Sequence, residues 1–560
     1  MDLVLVGLPG SGKSVVGKRI AQRHDAAFID LDDIIEREAG RTIPEIFAEE
    51  GEAGFRAREH AAVQDMGPAD VDGPLRRVIA TGGGTPVDPR NRWLLYRHRV
   101  PVWLDSRPEV LAQRLRHSRN VRPLLAGRDP IAALRDLLAG RERFYGAAAR
   151  LSGVAEIRGV VDAIEALLEA GPRDATTLMS AATSVGRISL GEGIAGSGVV
   201  GALRRFQARR AIVITEPVAW SVAAPFLEPA LAQAGLPIHT IMLPEGESAK
   251  RLTVIEEGAR ALAGVRAERA EPLVAVGGGA LGDAAGFLAA TWLRGVPIIG
   301  VPTTLVAQID SSIGGKTAVD LPEGKNLVGA FHQPSDVVID IRFLASLPVR
   351  QRRAALGEAA KMAALGDERL FALLESDGAA IARGDALAVE SGALAELVER
   401  AAWAKVDLVT NDEREHGNRI HLNLGHTLGH ALESAAGYDG ILHGEAVAYG
   451  LRAAARIGVA TGVTPPARAL RIERLLSALG LGEEPLPYSP EGVLAAMGTD
   501  KKHAAGRLRW VLPTEAGVAV HMDVAPQLVE EVIAMILSPT HRPAEDTPGA
   551  GMAATSRSVR

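Results

Sequence analysis

Three clusters of residues in this chain have the types and spacing to do chemistry. Gly7-Leu8-Pro9-Gly10-Ser11-Gly12-Lys13-Ser14 fits the pattern G-x-x-x-x-G-K-[ST]. There, glycines let backbone N–H groups wrap a phosphate, the following helix adds its positive dipole end, and the lysine reaches the outer phosphates. The Ser14 hydroxyl suits magnesium. Asp30 and Asp32 stand two apart after a short apolar run, so in extended chain both carboxylates share a face. One suits magnesium through water, the other a substrate hydroxyl. Gly82-Gly83-Gly84 offers backbone donors, and Arg56, Arg122 and Arg141 come from separate segments. Alone, each arginine reads as a solvated surface group; converging, they suit an anionic acceptor and a mobile lid.

Further along, Gly277-Gly278-Gly279-Ala280-Leu281-Gly282-Asp283 follows another apolar run. It lacks the G-x-G-x-x-G spacing, so alone it is weak evidence for a dinucleotide. Lys316 and Lys325 lie in glycine-rich stretches that suit a phosphorylated or carboxylated substrate. The sharpest signal is His421-Leu422-Asn423-Leu424-Gly425-His426-Thr427-Leu428-Gly429-His430, followed by His443-Gly444-Glu445. His426 and His430 are four apart, so on a helix they share one face at roughly 6 Å. A lone histidine reads as an ordinary hydrogen-bonded side chain. Four so close together read as a metal site, and spacing alone names His426 and His430 as ligands.

The elements that must position these groups alternate strand and helix. Leu3–Val6, Arg77–Ala80 and Val100–Leu104 read as buried strands and Ser14–Arg23 as a helix, which implies a parallel sheet covered on both faces. A last helix near Val160–Ala170 runs into the polar stretch 171–183, read as a linker. A second α/β pattern starts near Ser184, with Ala211–Thr215 and Leu273–Val276 as strands, and from Leu347 the pattern is almost wholly helical. The expected domains are therefore 1–170, 184–346 (Rossmann-like α/β) and 347–537 (all-α), with 538–560 a disordered tail.

Bulk properties bound the rest. A chain of 560 residues exceeds one hydrophobic core, and 47% hydrophobic with 23% charged residues is ordinary for a soluble protein. A net charge of -6 gives no reason to expect nucleic acid or an anionic membrane as partner. There is no cysteine, so any metal must use His, Asp or Glu. The N-terminus lacks a signal-peptide layout and no long apolar run spans a membrane, so the expected location is cytoplasmic.

Residues 1–170 resemble shikimate kinase, through the Gly7–Ser14 motif, FIDLDD, GEAGFRAREH, TGGGTP, RNVRPLLAG and RERFY. The resemblance implies ATP with magnesium at Gly10, Ser11, Gly12, Lys13, Ser14 and Val15, with Asp30 in the magnesium shell. It puts Arg116 against adenine and Arg122 on the lid. Shikimate would be bound by Asp32, Arg56, Gly82, Gly83, Gly84 and Arg141, with both arginines on its carboxylate and Asp32 orienting or deprotonating the attacking hydroxyl. Lys13, Asp32 and Arg122 would be the catalytic groups. A gluconate-type kinase shares the phosphate loop; the two carboxylate-facing arginines and the RPLL lid favour shikimate.

Residues 184–535 resemble 3-dehydroquinate synthase, through PEGESAK, GGGALGDAAGF, WLRGVP, PTTLVAQIDSSIGGKTAVD, GKNLVGAFHQP, GEAAKMAALGD, NDEREHGNRIHLNLGHTLGHALE, LHGEAV and TDKK. The resemblance replaces the spacing-based metal set: it implies zinc, with cobalt as the alternative, on Glu358, His426 and His443, and leaves His430 to substrate or a proton relay. NAD would lie on Glu216, Glu247, Lys250, Gly278, Gly279, Asp283, Thr303, Thr304 and Lys325. Asp310, Arg294, Lys316, Asn326, Lys361, Lys405, Arg419, Asn423 and a lysine of Lys501-Lys502 would surround substrate, with Lys361, His430, Arg294 and Lys316 at the chemistry. The implied reaction oxidises a carbinol of 3-deoxy-D-arabino-heptulosonate 7-phosphate, eliminates phosphate, returns the hydride and closes the ring, so NAD is not consumed. One departure stands out: Ile214-Thr215-Glu216-Pro217 carries Glu216 where the family usually has an Asp at the ribose.

The expectation is thus a bifunctional enzyme acting on small molecules; a homodimer through the rear half is compatible with the resemblance. The alternatives are a kinase fused to an amino-dehydroquinate or valiolone-type synthase, a glycerol-dehydrogenase-like rear half, and a fusion with one catalytically dead domain. The phosphate-binding lysine loops argue against the second, and retention of every catalytic group argues against the third.

Overall fold

The computed structural model describes residues 1–69, 73–116, 128–152, 156–171, 175–437, 440–498, 503–504 and 507–538. Arg122, Lys501, Lys502 and residues 539–560 of the expected tail therefore lie outside the described residues. The chain divides into two compact units, Met1–Asn423 with Ala516–Val518, and Leu424–Glu515 with Ala519–Arg560. No helix among the described residues is long and apolar enough to cross a membrane.

The first unit holds two sheets. In the front sheet, β1 (Asp2–Val6), β2 (Ala27–Asp30), β3 (Arg77–Ala80), β4 (Val100–Asp105) and β5 (Ala149–Ser152) run parallel in the order β2-β3-β1-β4-β5. Its helices are α1 (Lys13–His24), α2 (Leu31–Ala39), α3 (Ile43–Asp65), α4 (Pro89–Tyr96), α5 (Pro108–Arg116), α6 (Pro130–Tyr145) and α7 (Ile157–Ala170). Alternation along β1 divides the core in two. Leu3 and Leu5 pack with Val16 and Ile20 of α1 and Val161 and Ile164 of α7. Val4 and Val6 pack on the other face with Leu31, Ile35, Phe55, Leu134 and Tyr145. A strand buried on both faces reads as a continuous apolar run, as Leu3–Val6 does.

The rear sheet has seven strands in the order β6-β7-β14-β11-β10-β8-β9. These are β6 (Thr176–Thr183), β7 (Gly186–Glu192), β8 (Ala211–Thr215), β9 (Ile238–Met242), β10 (Leu273–Gly277), β11 (Ile298–Pro302) and β14 (Asp336–Asp340); β12 (Lys316–Leu321) and β13 (Gly324–Phe331) form a separate hairpin. Only β6 runs antiparallel in this sheet. The same division by alternation recurs. Ile212 and Ile214 face α10 (Leu252–Gly264) and α11 (Gly279–Thr291), while Ala211 and Val213 face α8 (Ala195–Arg205) and α9 (Pro217–Gln233).

The stretch expected to link the halves needs correcting. Thr176–Thr183 is an edge strand hydrogen-bonded to β7 along its length, so the rear sheet begins inside it. The region from 347 also differs from an all-α expectation, carrying short strands at Trp510–Pro513 and Val518–His521. Its helices in the first unit are α12 (Val349–Ala364), α13 (Glu368–Arg383), α14 (Ala386–Glu390) and α15 (Ala393–Asn411). The second unit opens with α16 (His426–Ala435) and α17 (His443–Ala460).

Because Leu5 is wholly buried in a sheet covered on both faces, Leu5→Ala is expected to destabilise the front domain by about 2–5 kcal/mol. Chemical denaturation followed at the front-domain transition checks this; an unchanged midpoint contradicts the packing described.

Candidate active sites

In the front domain the phosphate loop, Asp30, Asp32 and Gly82–Gly84 sit at the carboxyl ends of strands, and Arg56 and Arg141 reach them from helices α3 and α6. The turn after β1 is drawn tight enough that Lys13, the first residue of α1, folds its Nζ back to the carbonyls of Gly7 (2.8 Å) and Leu8 (3.2 Å). Ser14 donates to Asp30 Oδ2 at 2.7 Å. Asp30 caps α2, its other oxygen accepting from the Asp32 N–H at 3.2 Å. The two carboxylates thus do not share a face of extended chain as expected: Asp30 ends the strand and Asp32 lies in the first helical turn. Both nevertheless line one cavity of about 940 Å³, together with Gly10–Val15, Gly83 and Arg114.

Gly82, Gly83 and Gly84 are where the arginines arrive. A Cβ on Gly82 would lie 3.0 Å from Asp32 Oδ1, one on Gly83 would lie 3.3 Å from Arg141 Nη1, and one on Gly84 would fall on the Arg56 guanidinium. Only glycine lets these groups approach the backbone so closely. Arg141 donates to the Gly83 carbonyl at 2.9 Å, and Arg56 is aimed by Glu59 (2.7 Å) and Glu52 (3.1 Å). Glu59 is buried and also accepts from Thr85 at 2.6 Å, a brace that sequence reasoning missed. Arg116 is not among the cavity-lining residues and is exposed; Arg114, two residues earlier, lines the cavity and reaches the Gly10 carbonyl at 3.4 Å.

The rear sheet repeats the arrangement. β10 ends at Gly277, Gly278 caps α11, and Gly279 opens it; Thr303 follows β11 and donates its N–H to the Gly277 carbonyl at 3.0 Å. A Cβ on Gly278 would lie 3.2 Å from Thr304 Cγ2. Glu216 follows β8, and its carboxylate accepts from the Gly246 N–H at 3.0 Å. Lys250 pairs with Asp283 at 2.7 Å, and Lys325 with Glu247 at 3.2 Å. Asn326, expected at substrate, accepts from Lys250.

A second knot surrounds Asp310, held on a π-helical turn, Ala307–Ser311. Lys405 of α15 bonds its carboxylate (2.9 Å) and its carbonyl (2.7 Å), and Lys361 of α12 lies 3.8 Å away. Lys361 also pairs with Glu358, one turn earlier on the same face, and both are buried. Burial pushes Asp310 up, but Lys405 and Lys361 together hold it below the ordinary carboxylate value. Burial pushes Lys405 down despite Asp310. Arg419 is buried and donates to the Gly314 carbonyl at 2.9 Å. Lys316 pairs with Glu415, which also accepts from Asn423 at 2.8 Å. Glu415 was missed in the sequence; it holds two candidate substrate groups together. Arg294 is exposed at a turn with φ of +69°, and among the described residues no bond ties it to this knot.

In the second unit, α16 and α17 bring three imidazoles together. Ring centroids are 5.3 Å apart for His426 and His430, 5.2 Å for His426 and His443, and 6.1 Å for His430 and His443. His426 Nδ1 lies 3.1 Å from the Leu424 carbonyl, and His443 Nδ1 lies 3.2 Å from Glu433. Glu433, beside His443, is a carboxylate that spacing did not single out. His430, Glu433 and His443 each offer a ligand atom within 4.8 Å of the others. Imidazole and carboxylate without thiolate is a donor set that fits a zinc- or cobalt-like divalent ion.

Comparison with known proteins places this geometry. Residues 9–165 match the family model for shikimate kinase, residues 240–354 that for the N-terminal part of 3-dehydroquinate synthase, and residues 355–503 that for its C-terminal part. The 3-dehydroquinate synthase of Thermosynechococcus vestitus is 42% identical over 58% of this chain and 86% of its own length. That of a Bradyrhizobium species is 42% identical over 61% of this chain and 92% of its own length. Among solved structures, the 2-epi-5-epi-valiolone synthase ValA of Streptomyces hygroscopicus, with NAD+ and Zn2+ bound, aligns with a TM-score of 0.54 at 29% identity, over 58% of this chain and 90% of that one. A 2-deoxy-scyllo-inosose synthase complexed with carbaglucose-6-phosphate, NAD+ and Co2+ gives 0.55 at 27%, over 64% and 99%. The chain belongs to the 3-dehydroquinate synthase family, and it carries a shikimate kinase domain ahead of that part.

Proposed function

We propose that the chain catalyses two reactions of aromatic amino-acid biosynthesis at two separate sites: ATP-dependent phosphorylation of shikimate, and cyclisation of 3-deoxy-D-arabino-heptulosonate 7-phosphate to 3-dehydroquinate with loss of phosphate. The observation that carries the first reading is the convergence of Arg56, Arg141 and Asp32 on Gly82–Gly84 beside the phosphate loop. Two guanidinium groups suit a carboxylate, and a carboxylate facing them suits a ring hydroxyl. Lys13 moves from the carbonyls of Gly7 and Leu8 to the outer phosphates of ATP, while Ser14 and Asp30 hold magnesium. Asp32 orients the attacking hydroxyl and accepts its proton. Arg122 closes over the phosphates.

The rear reading rests on the 42% identity of the curated relatives together with the Asp310 knot of lysines. Zinc or cobalt, held by Glu358, His426 and His443, would polarise the carbinol oxygen at its substrate-facing position. NAD, held along Glu216, Glu247, Lys250, Gly278, Gly279, Asp283, Thr303, Thr304 and Lys325, would accept and return one hydride. Lys316, Asn326, Arg419, Asn423 and Lys501 or Lys502 bind the sugar acid phosphate, and Lys361 and Lys405 stabilise the negative charge that develops on oxygen beside the carbon losing its proton. His430 relays a proton, and Arg294 completes the substrate shell. The NAD+-bound cyclases at 27–29% identity keep a second reading open, another sugar-phosphate cyclase; assaying alternative sugar phosphates against the seven-carbon acid decides between them.

Three outcomes test these assignments. Lys13→Ala should lower shikimate phosphorylation by roughly 10²–10³-fold and leave the cyclase untouched; parallel loss of both activities in a folded chain contradicts separate sites. Gly84→Ala forces the Arg56 guanidinium aside, so KM for shikimate should rise about tenfold or more, with KM for ATP unchanged; an unchanged shikimate KM removes Arg56 from the site. His426→Ala should cost bound metal and cyclase activity alone. Elemental analysis that finds full metal occupancy in that variant removes His426 from the ligand set.

A further inference from the structure

The front domain does not merely precede the rear one; it is seated on α15, the helix that carries Lys405. Arg92 of α4 is wholly buried, and its guanidinium pairs with both oxygens of Glu399 on α15, itself 5% exposed. Beside it, Trp93 donates its indole N–H at 2.8 Å to the carbonyl of Glu390, the last residue of α14, just ahead of α15. Gly392 caps that helix at φ of +82°, and a Cβ there would lie 2.7 Å from Trp93 Cγ. The start of α15 is therefore shaped around a side chain of the front domain. From α6, the Arg143 guanidinium is stacked 4.6 Å from the Phe144 ring and 4.0 Å from the Trp403 ring of α15. At the rim, Arg97 pairs with Glu192 at 2.8 Å.

Helical periodicity says what this contact can do. Glu399 and Trp403 are four apart and share the face turned to the front domain. Lys405, two residues beyond Trp403, projects from the opposite side, to Asp310. One face of α15 is thus fixed by the front domain and the other presents a group of the rear site.

We propose that Glu399 and Trp403 are positioning residues for Lys405, and that the docked front domain is a brace on which cyclase turnover depends. The proposal rests on the reading of Lys405 as a substrate-binding group. A displaced helix moves the Lys405 ammonium against the substrate, and small misplacements of a binding group are costly in rate.

The test uses the intact chain loaded with metal and NAD. Arg92→Leu leaves Glu399 without its buried partner, so cyclase kcat/KM should fall roughly tenfold, with a raised KM for the sugar acid phosphate. The double variant Arg92→Leu/Glu399→Leu, which packs two apolar groups in place of the ions, should recover most of it. A merely structural role would lower the folded fraction, and with it apparent kcat for both activities at unchanged KM. Arg143→Leu keeps the ion pair and serves if Arg92→Leu fails to fold; it should raise the same KM. Unchanged cyclase KM and kcat in folded Arg92→Leu or Arg143→Leu overturns the proposal. Lys405→Met separates the two levels. If it leaves the cyclase intact, the reading of Lys405 fails and the brace with it; if it abolishes turnover while the interface variants are silent, only the brace fails.

Discussion

Both halves of the chain depend on one constraint: a parallel sheet covered by helices on both faces has no room for chemistry along its strands. The backbone groups of such strands are used up in the ladder, and their side chains face apolar helices. Polar and charged groups are left with the carboxyl ends, where the chain turns from strand to helix and N–H groups point outward. The phosphate loop follows β1, Asp30 ends β2 and Asp32 follows it, and Gly82–Gly84 follow β3. In the rear sheet, Glu216 follows β8, Gly278 follows β10 and Thr303 follows β11.

Close approach and charge balance follow from that crowding. Glycines at the strand ends admit side chains that a Cβ would exclude, so Arg56 and Arg141 reach the backbone beside Asp32. The cations of the rear half are already countered before substrate arrives: Lys250 by Asp283, Lys316 by Glu415, Lys405 by Asp310. Burial opposes the charge of a lysine and a carboxylate partner offsets that cost. These carboxylates also aim the lysines, and an incoming anion has only to compete for them.

The strands, the phosphate loop and the domain order were legible in the sequence because each rests on local pattern: apolar runs, glycine spacing, turn residues. What was not legible is long-range or compositional. Thr176–Thr183 reads as linker because its threonines and serine lack an apolar alternation, yet pairing with β7 makes it an edge strand. Glu59, Glu415 and Glu433 lie within the quoted motifs, but no spacing rule singles them out; each matters through a partner that only the fold brings near. Arg114 replaces Arg116 at the cavity because the rotation of α5 decides which arginine faces it. The proposed metal ligands show the limit most clearly. Histidines four apart suggest each other, whereas Glu358, distant in sequence, has no spacing signature, and only the family resemblance implies it as a ligand.

Two enzymes in one chain is the central claim, and α4 and α6 of the front one dock on α15 within the first unit. The most direct measurement is a pair of initial-rate assays on the purified intact chain. One follows ADP formation from ATP that depends on shikimate; the other follows phosphate release from 3-deoxy-D-arabino-heptulosonate 7-phosphate with NAD and a divalent metal. The account predicts both turnovers from the same preparation. Failure of either substrate to turn over in a folded, metal-loaded chain would contradict it.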